Sequence, residues 1–447
     1  MKMWKWSKLS TALLGVALFV SACGGGDNND PAAGKSSSTN EPGATEKAWT
    51  GEIVVWDGPR WSDDKENKYH WIENKKAEFE KLHPGVTIKI VQTPWAEMED
   101  KLNVSIAGGA WPDLVYNVSN RMASIKNIES GIVEPIDEFY TADELADFYP
   151  NALKEYEYEG KHYGVPVSTR VHSLLLNLEI FKQKGVEPPV DGKWTYDEFL
   201  EKMKQLTGGG VHGFSTYIMP SYYEAWPFLM MDGGRPLSDD LTQYTFDSPE
   251  AISGLQKFLD LKFVHEVALP DMGMSNVGDT YQAFAAQDKR LMAVQPWNSW
   301  AIASSQKEPY AMDLMVAEYP TGDSGKSISM GDVLGWVMLK QKDEGKKQMA
   351  MEFVKFLTTT EEIFITAKNY GVFPSRISSG EQRPFEANPQ MERAQQIAEN
   401  AMMVPRHTNW QKIDEAIQKE LQLAVNGTKT AEQALKDARS QVESLLK

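Results

Sequence analysis

Six residues, Gly208-Gly209-Gly210-Val211-His212-Gly213, match the spacing of a dinucleotide-binding turn. That turn works only between a strand and a helix, because the helix N-terminus holds the pyrophosphate. Here a helix pattern precedes it, and Phe214-Ser215-Thr216-Tyr217-Ile218 reads as a strand, so a plain helix-to-strand turn is expected. Gly34-Lys35-Ser36 and Gly325-Lys326-Ser327 lack the upstream glycine of a phosphate loop. His265-Glu266 has no second histidine at zinc-protease spacing, and the seven histidines are scattered. No serine sits in a nucleophile elbow. Paired carboxylates would serve a glycosidase, but Asp63-Asp64 and Asp239-Asp240 read as solvated loop charges, and Glu361-Glu362 as a helix start. No cofactor and no metal are expected.

Two features survive this sieve. The first is tryptophan, fourteen in all. Trp56, Trp61, Trp95, Trp111, Trp226, Trp297, Trp300 and Trp410 stand at strand ends or in loops, beside polar or turn residues. Val55-Trp56-Asp57-Gly58-Pro59-Arg60-Trp61 and Gln295-Pro296-Trp297-Asn298 are examples. An indole offers a flat apolar face to the C–H face of a sugar ring, while adjacent Asp, Asn and Arg bond its hydroxyls. Partial burial as packing residues is the alternative for each; as a set, at least three are expected in a ligand cleft. The second feature is the only cysteine, Cys23. Lys2, Lys5 and Lys8 precede an apolar run from Leu9 to Val20, and Val20-Ser21-Ala22-Cys23 closes it. This is the order of an export signal, and its apolar run is too short to span a bilayer.

Such residues need a scaffold. Removal of residues 1–22 leaves 425, more than one hydrophobic core usually serves, so two domains are expected. Forty-three basic against 63 acidic residues then remain, a net charge near −20. That balance argues against nucleic acid and against anionic lipid as partners. With one cysteine there is no internal disulfide and no cysteine-based metal site. Residues 24–48 hold almost nothing apolar and read as a tether. No later run reaches the ~18 apolar residues of a membrane helix.

From Glu52 onward, strand, helix, strand, helix, strand alternate: Glu52–Trp56, then Trp71–Leu82, then Val86–Ile90, then 96–107, then Leu114–Tyr116. This order indicates a parallel sheet with crossover helices. Leu174-Leu175-Leu176 reads as a buried strand. Thr195 with Glu198 forms a capping box. The C-terminus is helical: Ile413, Ile417 and Leu421 line one helix ending at Asn426-Gly427. Thr430 and Gln433 are expected to form a capping box for another, whose stripe is Leu435, Ala438, Val442 and Leu445. In open α/β sheets ligands bind beyond the C-terminal strand ends, where Trp56-Asp57 and Tyr116-Asn117 stand.

Several segments together resemble the bacterial extracellular solute-binding proteins of the maltodextrin-binding type, receptor subunits of ABC importers. They are the strand ending in Trp56, His83-Pro84-Gly85-Val86 and Gly108-Gly109-Ala110-Trp111-Pro112-Asp113-Leu114-Val115. Tyr163-Gly164-Val165-Pro166, Leu291 to Trp297, Met330 to Gly335, Tyr370 to Pro374, and Gly427 to Leu435 continue the order. Val-Ser-Ala-Cys resembles the lipobox of bacterial lipoproteins, whose cysteine becomes the lipidated first residue and carries palmitate-type acyl chains.

The resemblance implies an α/β, two-lobed periplasmic-binding-protein-like fold of type II. Each lobe would hold a mainly parallel sheet with flanking helices, and a hinge would lie between them. Residues 51–168 with 332–362 would form the N-terminal lobe, and 169–331 with 363–447 the C-terminal lobe. A monomer is implied, tethered to the outer face of the membrane through lipid on Cys23 alone. It would do no chemistry, capture a carbohydrate between the lobes and deliver it to ABC transporter permease subunits. Trp56, Asp57, Trp61 and Trp95, with Asn117, Asn120 and Arg121, are the first-lobe site candidates. Tyr222, Trp226, Trp297, Asp332 and Trp410 are those of the second lobe and hinge. Arg170 falls where relatives often carry an acid. It would pair with a ligand carboxylate, making the sugar acidic, or with a nearby Asp. A secreted glycan-active hydrolase, or a binder of a polyamine or glycerol phosphate, is the competing function.

Overall fold

The structure is a computed structural model that describes residues 49–60, 67–305, 310–398 and 401–447, apart from the side chains of Ala96 and Asn120. The expected export signal, Cys23 and most of the expected tether lie outside the described residues, as do Trp61 and Asp63-Asp64.

Twelve strands are described: β1 Gly51–Asp57, β2 Val86–Gln92, β3 Leu114–Val118, β4 Glu157–Tyr158, β5 Lys161–His162, β6 Val165–Asn177, β7 His212–Phe214, β8 Met292–Asn298, β9 Leu314–Ala317, β10 Met330–Met338, β11 Phe373–Pro374 and β12 Met402–Met403. One hydrogen-bonded path runs β2-β1-β3-β10-β6-β8-β7. The early strand–helix alternation appears as expected, with helices His70–Leu82 and Trp95–Ala107 between β1, β2 and β3. β1 pairs with β2 and β3 in parallel, and β7 pairs with β8 in parallel.

The two lobes share β6. Its first half pairs antiparallel with β10 and β11, its second half antiparallel with β8 and β9. β10 also runs antiparallel to β3. The sheets are therefore mixed rather than mainly parallel. Parallel neighbours need a crossover connection; β10 instead returns from the second lobe and lies antiparallel between β3 and the first half of β6.

The buried apolar side chains form four clusters. Two draw on residues between 53 and 167 and between 333 and 363. The other two draw on 171–330 and 367–442. Besides β6 and β10, the helix Thr360–Tyr370 joins both sets, with Ile363 in the first and Ala367 in the second.

Local signals were read well where chemistry is local. Thr195 and Glu198 form a reciprocal capping box at the helix Tyr196–Leu206. Thr430 accepts from the Gln433 amide at the last helix, Ala431–Val442. The triglycine segment links Leu206 to β7 as a turn, but β7 ends at Phe214, short of the strand expected through Ile218.

Candidate functional site

Both lobes line a cleft of about 500 Å³. Its first-lobe wall follows the C-terminal ends of β1 and β3: Pro59, Arg60 and Lys68 from the loop after β1, Trp95 from the start of the helix after β2, then Asn117, Val118 and Arg121. Its second-lobe wall holds Ser221, Tyr222 and Glu224, then Trp297 and Asn298 at the end of β8, Trp300 and Ser304 from the following helix, and Tyr310. Arg170, His172 and Asp332 on the crossing strands form the floor, and Asn369 and Tyr370 end the bridging helix beside it. Strand ends supply the walls because side chains there are no longer committed to the sheet's core.

The floor is a closed set of charges. The register places Arg170 opposite Asp332. Arg170 grips that carboxylate with two hydrogen bonds, Nε to Oδ1 and Nη2 to Oδ2, both 2.8 Å. His172 lies between acids: Nδ1 is 3.1 Å from Glu224 Oε1 and Nε2 is 3.9 Å from Asp332 Oδ2. Tyr217 donates its hydroxyl to the same Glu224 oxygen. Burial by itself would drive His172 toward neutrality, but Glu224 and Asp332 outweigh it and push its pKa up to about 9. Burial likewise opposes the Asp332 charge, yet Arg170 and His172 hold its carboxyl well below the usual carboxylate range.

Above this floor stand rings. Trp297 is 4.8 Å, centroid to centroid, from Tyr281 and meets Tyr217 edge-on at 5.5 Å. Trp300 lies 6.5 Å from Tyr370. Trp95 is pinned by its indole N–H to the Pro59 carbonyl at 2.9 Å. Six aromatic side chains line the cleft among the described residues: Trp95, Tyr222, Trp297, Trp300, Tyr310 and Tyr370.

Of the sequence candidates, the cleft gathers Trp95, Asn117, Arg121, Arg170, Tyr222, Trp297 and Asp332. Four others stand elsewhere. Asp57 is 0 % exposed and holds Arg60 Nη2 at 3.0 Å, so it supports the wall from behind. Burial raises the Asp57 pKa although Arg60 opposes this. Trp56, one residue earlier, points to the other sheet face and packs against the cluster of Met98 and Leu102, as the two-residue strand period requires. Trp226 is fully buried between Tyr223, Phe246 and Trp410, and therefore carries no cleft surface. Trp410 is also buried, donating its indole N–H to the Tyr223 hydroxyl. It lines an adjoining cavity of about 60 Å³ that shares Asn117, Arg121 and Ser221 with the cleft. Trp61 and the Asn120 side chain lie outside the described residues. Arg170 takes the second of its two readings: its pair is Asp332, so it does not argue for an acidic sugar.

Sequence reasoning missed Arg60, Lys68, His172, Glu224, Tyr310, Asn369 and Tyr370. Arg60 and Tyr370 stood inside quoted motifs, but nothing in their spacing marked them as wall residues. Trp300 stood in the tryptophan set without a site assignment.

The fold is a two-lobed α/β body with an aromatic cleft between its lobes. Residues 76–393 match the bacterial extracellular solute-binding proteins, and the chain belongs to that family. It is 26 % identical over 317 residues to a maltotriose-binding protein of Pyrococcus abyssi; the match spans 70 % of this chain and 64 % of that protein. Its fold is similar to that of an ABC substrate-binding protein of Listeria monocytogenes in complex with cycloalternan, with a TM-score of 0.76 and 20 % identity over 89 % of this chain and 99 % of that one. It is also similar to a maltose-bound MalE3 of T. maritima, with a TM-score of 0.77 and 22 % identity over 88 % and 99 %.

Proposed function

We propose that the protein captures a carbohydrate in this cleft and delivers it to the permease of an ABC importer. The carrying observation is the six-ring aromatic lining drawn from both lobes over a polar floor. Rings stack on pyranose C–H faces, and the polar atoms between them meet hydroxyls. The cleft's volume suits an oligosaccharide of about two to three sugar rings. The names of the similar proteins, which bind maltotriose, cycloalternan and maltose, support a sugar ligand. Asp332 on the floor is held ionised by Arg170 and His172 rather than poised as a general acid. Trp95, Asn117, Arg121, Tyr222, Trp297, Trp300 and Asp332 are proposed as ligand-facing residues. The lobes are proposed as 51–168 with 332–362, and 169–331 with 363–447, in keeping with how the cores divide. Lipid on Cys23 is proposed as the membrane anchor of a monomeric receptor. Calorimetric titration of the purified protein with neutral and charged oligosaccharides tests the reading. Binding of any saccharide with intact recovery of the sugar supports it; binding of none, with uptake of a polyamine or glycerol phosphate instead, overturns it.

A further inference from the structure

The cleft's charge runs against that of the protein. The chain carries 63 acidic and 46 basic residues. Yet five cationic side chains and two carboxylates line the cleft among the described residues. Three of the five are neutralised: Arg60 by Asp57, and Arg170 and His172 by Asp332 and Glu224. The other two are Lys68 and Arg121. No ion-pair partner meets Lys68 among the described residues. Arg121 donates Nη2 to the Ser221 carbonyl at 3.2 Å and has Glu99, 3.7 Å from Nε, and the buried Asp414 as counter-charges.

The buried polar atoms without partners lean the same way. Asn117 Nδ2, Arg60 Nη1 and Trp297 Nε1 are donors, whereas Glu224 Oε2 is the one carboxylate oxygen among the orphaned atoms of the cleft's side chains. Asn117 is 1 % exposed, and its Oδ1 is already taken by the Val118 amide at 2.7 Å. Sugar hydroxyls both donate and accept; a group that only accepts matches a wall of donors. A cation without an ion-pair partner among the described residues, as Lys68 is, also concentrates anions locally at the rim of a low-dielectric cleft.

Resting on the carbohydrate reading above, we propose that the captured sugar is anionic. Its charged group would lie at the first-lobe wall, received by Lys68, Arg121 and the Asn117 side-chain amide. Arg170 plays no part in this, being committed to Asp332. A carboxylate and a phosphate ester share the required chemistry: an acceptor-only anion on a pyranose.

The test uses full-length folded protein and two matched pairs: digalacturonate with its neutral digalactoside, and trehalose 6-phosphate with trehalose. Calorimetry at low and at high salt measures each. Tighter binding of a charged member than its neutral partner supports the proposal and identifies the anion. High salt should weaken that preference. Lys68→Met, confirmed folded by an unchanged melting curve, should weaken the charged ligand about ten-fold and leave its neutral partner unchanged; Arg121→Gln should weaken the charged ligand more than its neutral partner. A panel in which no charged member exceeds its neutral partner overturns the proposal. Binding of the neutral members in that case leaves the carbohydrate reading standing; binding of no saccharide removes both.

Discussion

His172 is the cleft residue whose chemistry is set most directly by its neighbours. Its pKa stands near 9, above the ordinary 6.5, because two carboxylates flank a buried ring. The folded state therefore holds a proton that the unfolded chain releases earlier. This stabilisation is complete below pH 6.5 and is lost as pH rises through 9. Melting temperatures across pH 6–10 should fall in that window, and His172→Gln should flatten the fall. Trp300 is half-buried and lines the cleft, so Trp300→Ala should weaken sugar binding by ~1–3 kcal/mol in calorimetry. Trp297 is only 5 % exposed and packs on Tyr281 and Tyr217. Trp297→Ala should add a stability loss of ~3–5 kcal/mol in urea unfolding, separating an anchor that is also core from one that is not. Trp297 and Trp300 are both strand-end tryptophans in the sequence. Which one keeps an open face depends on rings contributed from residues 217, 281 and 370.

At the scale of elements, strand ends and helix ends build the walls. The helix Thr360–Tyr370 ends on Gly371, whose φ of 68° is left-handed. A Cβ there would also lie 2.6 Å from the Ala303 Cβ, in the helix that carries Trp300. Gly371→Ala should therefore cost more than the ~1–2 kcal/mol of the backbone conformation alone, and should lower sugar affinity by shifting Tyr370. Gly131 has nearly the same φ, 67°, with open space around its missing Cβ. Gly131→Ala should lower stability by the backbone amount and leave affinity untouched. Paired melting and binding curves for the two variants check both statements. Helix caps were legible because they are local: Thr195, Glu198 and Thr430 act within one turn. The thirteen-residue length of β6 was not, since Pro166 and the polar run Ser168-Thr169-Arg170 interrupt its apolar pattern. Long-range pairing with β10 holds that stretch extended.

Considered as a whole, the molecule puts its ligand between two separately packed cores joined by β6, β10 and the helix Thr360–Tyr370. Such clefts close by hinge rotation when a ligand bridges both walls. Ligand present at about 100 times its dissociation constant should add about 2.7 kcal/mol of stability, read as a higher melting temperature. Small-angle scattering of the same sample should show a radius of gyration no larger than that of the free protein; expansion would contradict capture by closure. One acyl chain binds membranes only marginally, so the proposed anchor at Cys23 requires several. Cys23→Ser should release the protein into the medium with sugar affinity unchanged, measured on the two fractions.

The sequence by itself determined the order of basic, apolar and small residues ahead of Cys23, the alternating elements from Glu52, the helix caps and the abundance of tryptophan, though Trp95, Trp226, Trp300 and Trp410 start helices rather than end strands. These are properties of neighbouring residues, set by periodicity, turn chemistry and composition. Tertiary structure alone decided which side chains share the cleft. Trp226 and Trp410 vanish into a core because they meet each other and Phe246 arrives from a third segment. Arg170 is taken by Asp332, 162 residues away, because two crossing strands bring them into register. Burial and pairing are long-range facts, and a residue's type does not disclose which distant partner will reach it.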